Sequence, residues 1–177
     1  MQWRAPTGST SPATAVVEVV LALGSNLGDR LTHLQAAVDC LASAGVAIDR
    51  VSAVWETPPF PEGQPRYLNA VLVGTTALGP EALLLAAKRC EERIGRTPTY
   101  RWGPRVIDID ILFFGDLAVD TPSLVIPHPR ITERAFVLVP LAGIWDGPLP
   151  VLGVEPAILL ASVTLDGIDE TPYRLTF

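Results

Sequence analysis

Four apolar runs alternate with two stretches of helical periodicity along this chain. "VVEVVLAL" (16–23) is β-branched and stops at Gly24, which predicts a first strand. "SNLGDR" then opens a helix with Ser25 or Asn26 as its expected cap. Leu27, Leu31, Leu34, Val38 and Leu41 follow at helical spacing, and Gly45 closes the helix. "VAIDRVSAVWE" (46–56) reads as a second strand that runs into the proline-stiffened loop "TPPFPEGQP", and "YLNAVLVGTT" (67–76) as a third. Pro80 starts a second helix carrying Leu83, Leu84, Ala87, Cys90 and Ile94, ended by Gly95. "VIDIDILFF" (106–114) is the fourth strand.

The order is βαββαβ. It predicts an α+β, ferredoxin-like sandwich with a mostly antiparallel four-stranded sheet and helices on one face. A helical turn or two is expected after "VIPHPRITERAFVLVPLAGI", giving an extra C-terminal helical segment. The tail from 147 is punctuated by Pro and Gly around one short apolar segment, "PAILLASVTL". Residues 1–14, rich in Ser, Thr, Pro and Ala, read as a disordered leader, and 15–177 as a single domain.

Composition narrows the functional classes. Hydrophobic residues make up 49% of the 177 and charged residues 18%, which fits a globular chain. The net charge of −6 argues against a nucleic-acid partner. Yet six of the thirteen basic residues (Lys88, Arg89, Arg93, Arg96, Arg101 and Arg105) fall within eighteen positions. One basic cluster on an acidic chain suits a small anionic ligand. No apolar stretch is long enough to span a bilayer, and Glu18 interrupts the only N-terminal apolar run. Cys40 and Cys90 lack CxxC spacing and are expected to sit reduced in helix cores, as in a cytoplasmic protein.

The chemistry concentrates in "RWGPRVIDIDILFFG" (101–115). Strand alternation sends Asp108 and Asp110 to one face, and Ile107, Ile109, Ile111 and Phe113 to the other, which is the core. Carboxylates two apart lie roughly 7 Å from one another along a strand. A hard divalent cation relieves their repulsion, since Mg²⁺ takes one or two carboxylates and completes its shell with water and phosphate oxygens. Arg96, Arg101, Arg105 and Arg134 exceed the carboxylates near them in sequence, and guanidinium forks match phosphate oxygens. His128 is held on a rigid turn between two prolines. Tyr67 and Asn69 share a strand face, so an aromatic ring and an amide stand ready for a heterocycle. "GSN" at 24–26 lacks the glycines of a phosphate loop, and helix capping accounts for it.

Taken in order and spacing, "LALGSNLGDR", "TPPF", "YLNAV", "CEERIGR", "RWGPRVIDIDILFFG" and "IPHPRITERAFVLVPL" resemble 6-hydroxymethyl-7,8-dihydropterin pyrophosphokinase of folate biosynthesis, over roughly residues 18–146. The resemblance implies a ferredoxin-like enzyme with two Mg²⁺ ions. Such an enzyme moves the β,γ-pyrophosphoryl group of ATP to the pterin hydroxymethyl oxygen and releases AMP. It implies that Asp108 and Asp110 ligate the metals and that Arg96 and Arg105 act with them in catalysis. Glu91, Arg96, Trp102, Arg105, Ile111, His128 and Arg134 are then expected around ATP. Thr57, Pro58, Phe60, Tyr67, Asn69, Trp102 and Phe136 are expected around the pterin, with Tyr67 and Phe136 sandwiching its ring. The segment "GRTPTYRW" departs from some relatives in being short and proline-containing and in carrying no lysine between Arg96 and Arg101. No residue offers itself as the proton acceptor. A monomeric cytoplasmic enzyme is expected, with small-molecule partners and neither nucleic acid nor membrane. The alternatives are a DxD metal-dependent glycosyl or nucleotidyl transferase, and a non-enzymatic ferredoxin-like ligand-binding module.

Overall fold

The computed structural model describes residues 15–59, 61–100 and 103–177. The expected leader, Phe60, Arg101 and Trp102 lie outside the described residues. Strand β1 is Val17–Ser25, helix α1 Arg30–Ser43, β2 Val46–Val51, β3 Trp55–Thr57, β4 Tyr67–Thr76, α2 Pro80–Ile94 and β5 Asp108–Phe114. A small hairpin follows, β6 Val119–Asp120 and β7 Val125–Ile126. Then come a 3₁₀ turn Ile131–Glu133, α3 Ala135–Ala142, α4 Pro156–Leu160 and β8 Asp169–Glu170. The sheet runs β5-β1-β4-β3-β8, with β2 pairing farther along β4, and every strand pair is antiparallel. This is the expected α+β, ferredoxin-like arrangement, widened by one edge strand from the tail.

Local chemistry explains where the elements differ from expectation. The α1 cap is Asp29, whose carboxylate accepts from Thr32 N at 3.1 Å and Thr32 Oγ1 at 2.8 Å. Ser25 is still strand, and Asn26 is used elsewhere. The second strand breaks in two because Ser52 turns its hydroxyl to Val71 N at 2.9 Å, satisfying the ladder by side chain while Ala53 and Val54 leave it. In contrast α2 begins and ends as expected, with Pro80 in its first turn and Gly95 left-handed at φ 113° behind it.

The sheet buries both faces. α1 and α2 pack on one, where Val19, Leu21, Leu23, Ile109 and Ile111 meet Leu34, Leu41, Leu83 and Ala87. The extra helix α3 covers part of the other, placing Val137 and Leu141 on Val20, Val71 and Val73. A bulge in β5 changes the expected alternation. Leu21 pairs with Ile111 but Val20 pairs with Phe113, so Leu112 is an extra residue. Phe113 therefore joins Leu112 beneath α3 instead of following Ile111 to the helix side, which corrects its assignment. Cys40 and Cys90 are also not reduced. They form a disulfide between α1 and α2 with Cα atoms 5.7 Å apart, because the two helices pack side by side with both sulfurs at the contact. The cysteines thus lend no support to a reducing compartment. Among the described residues no helix is long and apolar enough to cross a membrane.

Phe113 is 1% exposed on the α3 face. Phe113→Ala should lower stability by about 3–5 kcal/mol, read from the midpoint of urea unfolding; a loss under about 1 kcal/mol would contradict its burial.

Candidate active site

The face that α3 covers is left open at one end of the sheet, and the polar residues gather there. Gly24 on β1 pairs with Asn69 on β4 and with Asp108 on β5, and Ala22 pairs with Asp110. Antiparallel register thus sets the end of β1 beside the starts of β4 and β5 in one row. A side chain at 24 would collide with this row: a Cβ there would lie 2.9 Å from Asn69 Oδ1. Asn69, 5% exposed, donates from Nδ2 to Thr57 Oγ1 at 2.7 Å, which fixes the amide with its oxygen toward Gly24.

A cavity of about 300 Å³ opens above this row. Thr57, Pro58, Tyr67, Asn69, Arg105, Asp108, Asp110, Arg134 and Phe136 all line it, so the structure brings most of the expected pterin side together with both aspartates. Burial raises the Tyr67 phenol above its usual value, so the ring meets a ligand as a neutral hydroxyl. The Arg134 guanidinium lies 5.5 Å from the centre of the Phe136 ring and steadies it. A second cavity of about 360 Å³ adjoins, lined by Lys88, Glu91, Arg96, Arg105 and the segment 97–100. Arg105 borders both.

Guanidinium groups hold the two aspartates. Arg96 Nη1 donates to Asp108 Oδ1 at 2.6 Å and Arg105 Nη1 to Asp108 Oδ2 at 2.7 Å. Arg134 Nη1 donates to Asp110 Oδ2 at 3.3 Å. Burial first, and then the like charge of Asp108, raise the Asp110 carboxyl above its usual range, while His128 and Arg134 oppose the rise. His128 stands behind Asp110, its Nε2 3.8 Å from Oδ2. Arg130 N donates to His128 Nδ1 at 3.2 Å, and Arg134 Nη1 lies 3.3 Å from its Nε2. Burial pushes the His128 pKa down, against the opposing pull of the Asp110 charge.

Among the described residues no cluster of three or more His, Cys, Asp or Glu is set to hold a metal ion. Two carboxylates on one strand face still fit Mg²⁺, which draws its other ligands from water and phosphate. Of the described residues expected around ATP, Ile111 and His128 line neither cavity, and His128 reaches the site through Asp110. The Ile111 side chain is 4% exposed in the helix-side core.

Asn26 is the residue that sequence reasoning missed. It is 1% exposed and works in three directions. Its Oδ1 accepts from Arg105 N at 2.7 Å, its own N donates to Arg105 O at 3.0 Å, and Nδ2 donates to Gln64 Oε1 and Pro65 O at 3.2 Å each. The segment carrying Arg105 is thereby fastened to the loop before Tyr67. The only trace in sequence is an Asn after a strand, which a helix cap explains equally well. Asn26→Ala should cost about 1–3 kcal/mol in urea unfolding, because it removes a buried amide from a part-buried Arg105 N–H and from the loop before Tyr67; an unchanged midpoint would deny the clamp.

With this geometry in view, the comparisons with known proteins are specific. The family model for 7,8-dihydro-6-hydroxymethylpterin-pyrophosphokinase (HPPK) matches residues 20–146. The 2-amino-4-hydroxy-6-hydroxymethyldihydropteridine pyrophosphokinase of Bacillus subtilis is 46% identical over 126 residues, which is 70% of this chain and 75% of that protein. The mitochondrial folate synthesis bifunctional protein of Pisum sativum is 46% identical over 138 residues, 77% of this chain but 27% of that protein. The chain spans about a quarter of the length of such bifunctional relatives. A crystal structure of wild-type Plasmodium falciparum HPPK-DHPS with pteroate shares the fold, with a TM-score of 0.66 at 18% identity over 84% of this chain and 42% of that one. By its sequence over most of its length, this chain belongs to the 7,8-dihydro-6-hydroxymethylpterin-pyrophosphokinase family.

Proposed function

We propose that the chain transfers pyrophosphate from ATP to 6-hydroxymethyl-7,8-dihydropterin, giving the pterin diphosphate and AMP, and that residues 15–177 carry this activity as one domain. The observation that carries the proposal is the position of Asp108 and Arg105. They stand where a cavity with an amide and aromatic rings meets a second cavity walled by Lys88, Arg96 and Arg105. One cavity suits a flat, hydrogen-bonding heterocycle and the other a polyphosphate. The acceptor hydroxyl and the phosphate chain would thus meet beside the two aspartates.

The residues divide the work. Asn69, its Nδ2 already engaged by Thr57, keeps acceptor capacity for the pterin edge. Tyr67 and Phe136 enclose the ring, and Pro58 closes the wall. Arg96, Arg105 and Arg134 are held close to the aspartates by their ion pairs, so they need little reorganisation to reach phosphate oxygens. Glu91 aims Arg96, and His128 backs Asp110. Asp108 and Asp110 would hold Mg²⁺, two ions in this reading, which neutralises phosphate charge when bound. Phosphoryl-type transfer depends on alignment and charge neutralisation, so the residues need supply no strong base.

The deciding test is incubation with ATP, Mg²⁺ and the hydroxymethyl dihydropterin, with nucleotide products resolved. AMP is expected. A nucleoside diphosphate would favour the DxD transferase, and no turnover would favour a binding module. Asp110→Ala should reduce turnover by orders of magnitude while leaving the unfolding midpoint near wild type, since Ile109 and Ile111 still fill the core. Near-normal turnover in that folded variant would sink the aspartate assignment.

Phe136→Ala should weaken the pterin and spare ATP. Aromatic stacking is worth about 0.5–1.5 kcal/mol beyond area burial, so calorimetry should show a loss of at least severalfold for the pterin alone. Equal weakening of both ligands would make Phe136 a packing residue.

A further inference from the structure

The last residues of the chain lie beyond the span matched by the family, 20–146, yet they pack behind the loop that carries the cavity-lining Pro58. β8 pairs with β3, Trp55 opposite Glu170 and Glu56 opposite Asp169. Thr171 donates to Val54 O from both N, at 3.0 Å, and Oγ1, at 2.8 Å. Farther on, Leu175 is buried against the helix-side core, and Thr176 exchanges two hydrogen bonds with Gln35 at 2.8 and 2.9 Å. Between β8 and α4 the backbone of Gly167 presses on the cavity loop: a Cβ there would lie 3.1 Å from Pro58 Cγ. Pro58 itself lines the cavity.

Arg66 joins these pieces. Its Nη2 donates to Gly167 O at 2.6 Å and to Asp169 Oδ2 at 3.1 Å, and its Nε stands 3.3 Å from Glu56 Oε2. Its own carbonyl accepts from Arg30 Nη1 at 2.8 Å, and that same nitrogen pairs with Glu56 Oε1 at 2.8 Å. One guanidinium therefore ties the tail to β3, immediately before Tyr67. Arg66 is partly exposed, and such pairs add little net stability. Its consequence is geometric: it decides how closely the Gly167 turn approaches Pro58.

We propose that Arg66 is a positioning residue. It clamps the 165–170 segment against Pro58 and so sets the shape of the pterin side of the cavity. The inference rests on the function proposed above and adds the tail to the determinants of pterin affinity. It separates Arg66 from Arg96, Arg105 and Arg134, whose ion pairs run to Glu91, Asp108 and Asp110.

The test uses full-length Arg66→Ala, Arg66→Lys and Gly167→Ala. Initial rates are measured against each substrate, equilibrium pterin binding is followed by its own fluorescence, and Tm is recorded. Arg66→Ala should raise the pterin KM and Kd by about five-fold or more, with the ATP KM and kcat within about two-fold of wild type and Tm nearly unchanged. Arg66→Lys should recover part of the loss, since a point charge reaches one acceptor but not the set. Gly167→Ala should act in the same direction, because its methyl would meet Pro58 and φ is +71°. If Arg66→Ala fails to fold, Asp169→Asn, which removes a single charge, takes its place in the comparison. Unchanged pterin constants in both Arg66 and Gly167 variants would overturn the inference and leave the activity standing; so would equal weakening of ATP and pterin. A wild-type chain that makes no AMP and binds no pterin would overturn the function, and the inference with it.

Discussion

A carboxylate that is 2% exposed needs partners for its charge, and Glu91 finds them in its own helix, in the loop that follows and on β5. It accepts from Ile109 N at 2.8 Å, lies 2.6 Å from Arg96 Nη1 and 3.0 Å from Lys88 Nζ. Burial raises its pKa, and Lys88, the Ile109 N–H and Arg96 oppose that rise. Meeting this one requirement pins the end of α2 to the start of β5. It also aims Arg96 at Asp108. Cys90, one residue earlier, fastens the same turn of α2 to α1. The packing of the helix layer and the orientation of the nucleotide-side cation therefore share one anchor.

The opposite face shows why the site is where it is. α3 is apolar nearly all round, and it covers Val20, Val71 and Phe113 but begins only at Ala135. The row of Gly24, Asn69 and Asp108 lies past its start, and polar groups occupy the uncovered end. The β5 bulge contributes by turning both Leu112 and Phe113 under α3, while Asp108 and Asp110, before the bulge, keep the open face. Two like charges that close are tolerable because three guanidinium groups sit against them. The cation excess noticed in sequence is thus matched to the aspartates first, and is in place for a phosphate ligand afterwards.

Much of this was legible in the chain. The limits of β4 and α2 follow from a β-branched run, an N-terminal proline and a C-terminal glycine, all of them local signals. The faces of Asp108 and Asp110 follow from alternation, and most of the expected pterin side converges on one cavity. Other features left no local mark. A residue-by-residue reading placed the α1 cap at Ser25 or Asn26, because either could cap, whereas Asp29 does so and Asn26 clamps Arg105. Ile111 was expected near ATP, but the strand sends its side chain into the helix-side core.

What the sequence determined by itself is what depends on neighbours within a few residues: periodicity, turn chemistry, and the shared face of side chains two apart on a strand. Motif order also carried the family. Tertiary structure alone decided which distant groups meet. The Cys40–Cys90 bond, the Asn26 clamp and the Arg66 link to Gly167 each join segments 38 to 101 positions apart. Nothing in the residues between them encodes that meeting. It arises because antiparallel register and helix packing bring the segments to one place, and a buried amide, thiol or partly buried guanidinium then takes the partners it finds there.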